Sequence, residues 1–322
     1  MSSNNNGFLS LCYHYIRPTK VNDKFPRILG LEIKEFQKQM EMVKQSFQII
    51  SLDDVLKFSQ KESNFFKTGM LITFDDGLSD HYLAAKILFK LGIKGVFFIP
   101  TCIFDNEPAN PMIIHYCLAQ YGIDIFLKEY ETIRKRIKLS DEFLLTFDKT
   151  NDDPWITIDE IKNLFKYKLP NKISRQILLQ IYENTLKKDF PNALELMHLS
   201  KEQVKEIIQM GHDIGVHTHT HISIAPSKLT TDEFKHEILN PKEILERDFS
   251  TNVFSISYPF GEKQDCLSSI SLLSKTKLFK LAFTAVPILN SNEINPLQFG
   301  RYQPHSTEQT NELKQFLETI IE

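Results

Sequence analysis

Apolar positions along the chain recur with two periods. Short apolar runs at 8–15, 47–50, 71–74, 95–100, 253–259, 280–286 and 299–303, with another leading into His217, predict strands. Between them, apolar residues recur at three- and four-residue spacing. Phe36, Met40 and Val43 predict a helix over 35–46, and Ala84, Ile87, Leu88 and Leu91 one over 80–91 that stops at Gly92. Ser51 with Asp54, Ser200 with Gln203, and Thr230 with Glu233 have the spacing of reciprocal helix caps, and Gly211 marks the end of the helix that Ser200 opens. The run Gly95-Val96-Phe97-Phe98-Ile99 has no polar alternation, as expected of a strand buried on both faces. Strand, helix and strand in succession predict a parallel, right-handed unit.

The pattern changes over about 104–198. Strand-like runs vanish and amphipathic stretches appear at 123–137 and 173–186, broken near Asn151-Asp152-Asp153-Pro154 and Leu169-Pro170. This stretch reads as a helical insertion packed on the core of a single domain spanning 1–322, as extra scaffold in preference to a direct part in chemistry. No internal repeat or low-complexity tract interrupts it.

Composition narrows the function classes. The net charge of -3, without a long run of one sign, gives no nucleic-acid footprint. Cys12, Cys102, Cys117 and Cys266 lack metal-type spacing and suggest reduced thiols in a cytoplasmic setting. Residues 1–6 are polar and the apolar run that follows is too short for a signal peptide or transmembrane segment. Peripheral membrane association stays open.

Two clusters carry the chemistry. Thr73-Phe74-Asp75-Asp76-Gly77 ends a strand in paired carboxylates and a glycine that lets the backbone turn. Gly215-Val216-His217-Thr218-His219-Thr220-His221 ends another in three alternating imidazoles. Carboxylate plus paired imidazole is a donor set for a divalent metal. On a continuing strand His217, His219 and His221 would share a face, and any two would suffice.

These two clusters, with Tyr258-Pro259-Phe260-Gly261 as a third, resemble the motifs of the polysaccharide deacetylase family of NodB-like carbohydrate esterases. Leu11-Cys12-Tyr13-His14, the Phe36 helix and Ile50-Ser51-Leu52 resemble the N-terminal part of one branch of that family. The resemblance implies a distorted (β/α) barrel of about seven parallel strands with the helical insertion, and metal-dependent removal of an N-acetyl group from a sugar. It implies Asp75 as general base, with Asp76, His217 and His221 as metal ligands and His219 second in line. It also implies His14 as the general acid, on a first strand that stands where other members have their last; His305 is the rival. Ser257 stands where the third motif has an arginine, and Arg301 is the expected substitute. The backbone N–H of Tyr258 is expected to steady the oxyanion. Zinc is the simplest ion for this donor set, with cobalt, nickel or manganese also open. The expected partner is an N-acetylated saccharide or sugar-linked precursor. The alternatives are a deformylase or other amide hydrolase on the same scaffold, and a non-catalytic carbohydrate-binding protein.

Overall fold

The computed structural model describes residues 7–17, 25, 28–145, 153–225 and 229–321. Residues 1–6, Asn151 and Asp152 lie outside them. The strands in chain order are β1 (Phe8–Tyr13), β2 (Ile16–Arg17), β3 (Leu31–Glu32), β4 (Gln48–Ile49), β5 (Gly69–Phe74), β6 (Gly95–Ile99), β7 (Asp213–Val216), β8 (Ser255–Ser257) and β9 (Leu281–Phe283). Seven form one parallel sheet in the order β1-β5-β6-β7-β8-β9, with β4 on β5; β2 and β3 make a small separate pair. β1 pairs with β5 from Phe8↔Gly69 to Tyr13↔Phe74. β4 takes the other edge of β5 at Gly69 and Met70, and β6 takes over from Ile72.

The sheet curls into the expected (β/α) barrel, and side-chain alternation divides its two faces. Leu9, Leu11, Met70, Ile72, Phe74 and Phe97 face the surrounding helices Ile33–Ser46 and His81–Leu91, packing with Phe36, Met40, Ala84 and Leu88. Phe8, Leu71, Val96, Phe98, Leu281 and Phe283 fill the interior at its lower end. Continuing upward on the same alternation, interior positions become polar at Cys12, Thr73, Asp75 and Ser257. The apolar layers close the barrel below, and the C-terminal strand ends carry the reactive groups above.

The segment expected as a strand over 299–303 closes the barrel differently. Isolated bridges join Phe299 to Phe283 and Tyr302 to Leu11, linking β9 to β1. The intervening Gly300 gives its N–H and C=O to the Asn290 side chain, at 2.7 and 2.9 Å, instead of to a neighbouring strand. Regular pairing therefore fails there, and Arg301 is carried into the barrel, where its side chain is 1% exposed.

The predicted caps form as hydrogen-bonded capping boxes at Ser51, Ser200 and Thr230, and Gly92 ends its helix at φ 67°. Among the described residues between β6 and β7 the principal elements are the helices Asn110–Arg136, Pro154–Asn163 and Asn171–Asn184. The first is kinked at Gly122, and the second runs into a π-helical turn, Leu164–Lys168. Among the described residues no helix is long and apolar enough to cross a membrane.

Candidate metal and catalytic centre

At the end of β5, the Asp75 N–H still bonds the Tyr13 carbonyl at 3.1 Å. The chain then turns through two left-handed residues, Asp76 at φ 77° and Gly77 at φ 55°. This reversal separates the two carboxylates: Asp75 stays inside the barrel while Asp76 swings toward β7. After β7, Thr218 and His221 also have positive φ, at 58° and 64°. His217 and His221 are therefore carried on a bent loop and not on a continuing strand. Non-glycine residues with positive φ are uncommon and need surroundings that hold them.

Those surroundings are visible. The His198 Nδ1–H donates to the Asp76 carbonyl at 3.2 Å, and its Nε2 accepts from the Ala109 N–H at 3.2 Å. Thr218 Oγ1 accepts the His221 N–H at 3.0 Å. The buried Glu237 carboxylate accepts the N–H groups of His219 and Thr220 at 3.1 and 2.9 Å, and the Thr220 hydroxyl at 2.9 Å. Sequence reasoning missed His198 and Glu237; each lies alone on a stretch with no metal-type or catalytic spacing.

The loop brings His217 Nε2 to 3.2 Å and His221 Nε2 to 2.9 Å from Asp76 Oδ1. His217 Nδ1–H donates to the Ser257 carbonyl at 3.0 Å, which turns Nε2 toward Asp76. Asp76 Oδ1 and His217 Nε2 are buried without a hydrogen-bond partner. Burial works against ionisation of Asp76, but the adjoining His221 and His217, while they carry a proton toward it, hold its carboxyl well below the usual carboxylate range. Once those nitrogens are deprotonated, their lone pairs face the same carboxylate. Converging lone pairs on a carboxylate and two imidazoles fit a divalent ion. Cys12, His14 and Asp75 also converge. Burial pushes the Cys12 thiol up, however, so it stays protonated.

Asp75 is held from the opposite side. Arg301 donates from Nη1 and Nη2 to its two carboxylate oxygens at 2.8 and 2.7 Å, and the Ser257 hydroxyl donates at 2.8 Å. Arg301 also reaches Thr73 Oγ1 and the Thr284 carbonyl, both at 3.0 Å. Burial works against ionisation of Asp75, but the bidentate guanidinium dominates and keeps its pKa well below the usual range. Arg301→Met is therefore expected to lower unfolding stability by about 3–5 kcal/mol, because it leaves a buried charge unpaired. Urea denaturation of variant and parent checks this, and equal midpoints would contradict it.

His14 follows β1 at the same rim. Its Nε2 lies 3.9 Å from Asp76 Oδ2, and the side chain is 25% exposed. The His14 carbonyl accepts from His81 Nε2–H at 3.0 Å, while His81 Nδ1 accepts the Leu78 N–H at 3.2 Å. His81 thus ties the start of the next helix to the His14 backbone. His305 does not line the cavity. The His219 ring is turned away from Asp76, with Nδ1 2.9 Å from Thr101 Oγ1 and Nε2 3.6 Å from Asp105. The oxyanion expectation for the Tyr258 N–H needs correcting. That N–H is spent on the Phe283 carbonyl at 3.0 Å, and the side-chain hydroxyl on the Leu297 carbonyl at 3.0 Å. Among the described residues the Phe260 N–H, two residues on beside the same cavity, makes no hydrogen bond.

Burial lowers His81 from its ordinary 6.5 to about 3, and His198 to about 4. As pH falls below 6.5 the unfolded chain takes up protons that these neutral, hydrogen-bonded rings refuse. The stability they contribute is fully present above that value and is lost as pH falls toward their folded values. Each is expected to remove about 2 kcal/mol of unfolding free energy between pH 7 and about pH 5. Urea denaturation at the two pH values checks this; equal free energies would contradict the buried neutral state.

Asp75, Asp76, His14, His217, His221 and Arg301 line a cavity of about 580 Å³. Twelve of the twenty-seven described lining residues come from the helical segment between β6 and β7, among them His115, Asp159, Lys162 and Lys166. That segment therefore forms a wall of the cavity and is more than remote scaffold. Lys166 pairs with the buried Asp265 at 3.3 Å and lies over the Phe260 ring at 4.0 Å; that ring in turn meets His221 edge-on at 4.7 Å.

A parallel (β/α) barrel with an Asp-His-His cluster at its C-terminal rim, beside a carboxylate clamped by arginine, defines a class. The family model for polysaccharide deacetylase matches residues 140–275, which include His217, His221 and Tyr258. No curated protein matches the sequence. Among solved structures, the Streptococcus pyogenes deacetylase PplD in complex with acetate is similar at TM-score 0.60 and 16% identity, over 98% of each chain. IcaB from Ammonifex degensii is similar at TM-score 0.55 and 16% identity, over 97% of each chain. The BpsB deacetylase domain from Bordetella bronchiseptica gives 0.52 and 12%, over 93% of this chain and 96% of that one. At such identities these likenesses speak for the fold. Together with the family match they bear out the resemblance to polysaccharide deacetylases and their NodB-like barrel.

Proposed function

We propose that this protein is a metal-dependent N-deacetylase acting on an amino sugar within a saccharide or sugar-linked precursor, releasing acetate and a free amine. The observation that carries this reading is the convergence of two differently held carboxylates on one cavity. Asp76 meets His217 and His221, whereas Asp75 is fixed by Arg301 and Ser257. Asp76, His217 and His221 would hold the divalent ion, for which zinc is the simplest choice. Such an ion lowers the pKa of a coordinated water from ~15.7 to ~7 and polarises the amide carbonyl.

The chain's own residues would do the rest. Asp75, kept ionised and immobile by Arg301, accepts the proton of the attacking water. His14, the more exposed imidazole at the rim, protonates the departing amine. Ser257 serves both halves, since its hydroxyl orients Asp75 and its carbonyl fixes the His217 ring. The chain would act as one catalytic domain, with the helical insertion at about 104–198 walling the cavity.

The test is product analysis by proton NMR on N-acetylated sugars, sugar nucleotides and short glycans. Acetate with an equimolar free amine is expected. Formate released from N-formyl sugars alone would replace the reading with a deformylase. Saccharide binding without turnover would replace it with a carbohydrate-binding role.

A further inference from the structure

The helix Pro154–Asn163 has two faces with opposite surroundings. Thr157 and Ile161 are buried, as is Leu164 immediately beyond, and they pack the helix onto the protein. Asp159, Lys162 and Asn163 line the cavity. Trp155 stands four residues before Asp159 and seven before Lys162, so helical spacing puts it on the same side of the helix one turn further out, beyond the residues that line the cavity. It is 63% exposed, and its flanking neighbour Ile156 is 49% exposed. An exposed tryptophan is unusual, and this is the only tryptophan in the chain. The Trp155 N–H is capped by Asp153 Oδ1 at 3.0 Å, so the residue sits on an ordered helix start.

We propose that Trp155 is a saccharide-stacking platform. On the reading that the cavity deacetylates an amino sugar of a glycan, it holds a further sugar unit of that glycan beyond the one that reacts. A pyranose presents an apolar face of C–H bonds that suits a flat aromatic ring, and its hydroxyls suit a polar rim. The rise from Asp159 to Trp155 is about 6 Å, on the scale of one sugar unit. On the same helix Asp159 and Lys162 form a carboxylate–ammonium pair 3.9 Å apart, and Lys166, the next lysine of the cavity wall, is already paired with Asp265. That balanced pair matches a neutral polyol and has no surplus positive charge to hold a nucleotide's diphosphate.

Because the protein has a single tryptophan, its intrinsic fluorescence reports this position alone. The full-length protein is titrated with an N-acetylated tetrasaccharide, the N-acetylated monosaccharide and an N-acetylated sugar nucleotide. The tetrasaccharide is expected to shift the emission saturably, and the monosaccharide is not. Trp155→Ala is expected to lose about tenfold in kcat/KM on the tetrasaccharide, carried by KM, with the monosaccharide unchanged and Trp155→Phe recovering part of the loss. A tetrasaccharide-induced shift without acetate release would support the platform while overturning the deacetylase reading. Acetate release from the tetrasaccharide with no shift, equal losses on both sugars, or a shift with the sugar nucleotide alone would each overturn the platform.

Discussion

Asp76→Asn is expected to purify with little bound metal and to lose more than about 100-fold in kcat/KM, the upper end for losing a group that merely steadies a metal ligand. Asparagine is the informative replacement because it tolerates the left-handed backbone that Asp76 adopts at φ 77° and preserves its shape. It removes the charge that His217 and His221 face at 3.2 and 2.9 Å. Metal content per chain, measured by elemental analysis after gel filtration, is the primary readout. A variant that keeps stoichiometric metal and full activity would place the ion elsewhere.

Asp75→Asn is expected to give the opposite pairing of results, with metal retained and turnover lost. An amide cannot accept the proton of the attacking water, so kcat is expected to fall by about 100- to 10,000-fold. The same change leaves Arg301 without its carboxylate inside the barrel, and unfolding stability is expected to fall by about 3–5 kcal/mol. Activity is therefore measured well below the unfolding transition, and metal content serves as the internal control for an intact rim. Retained turnover would assign the proton transfer to another group. Loss of metal alongside activity would make Asp75 a contributor to the ion site and undo the division of labour between the adjacent carboxylates.

That division was legible in the sequence only in part. The strand positions and caps came through well because period-2 and helical patterns are local, and Ser51, Ser200 and Thr230 cap helices as their spacing implies. The grouping of Asp75 and Asp76 with His217 and His221 follows from motif spacing, and Ser257 at the motif's arginine position points to Arg301 as its substitute. Main-chain hydrogen bonding was not legible. Nothing local showed that the Tyr258 N–H would be drawn into pairing with the Phe283 carbonyl, or that Asn290 would take the backbone of Gly300 and break the final strand. The supports of the turning loops were equally hidden. His198 and Glu237 act through bonds to backbone far away in sequence, and such bonds leave no periodic trace. The insertion's place in the cavity wall is hidden for the same reason. Its amphipathic pattern gives a buried face, but it does not reveal that the opposite face lines a cavity.

The central claim is that one ion held by Asp76, His217 and His221 is required for acetate release. It is tested most directly by stripping the protein of metal and titrating zinc back while acetate is measured on an N-acetylated glycan. The account predicts no release from stripped protein and a rise that saturates at one zinc per chain. Full acetate release from stripped protein, or none at zinc saturation across the substrate panel, would contradict it.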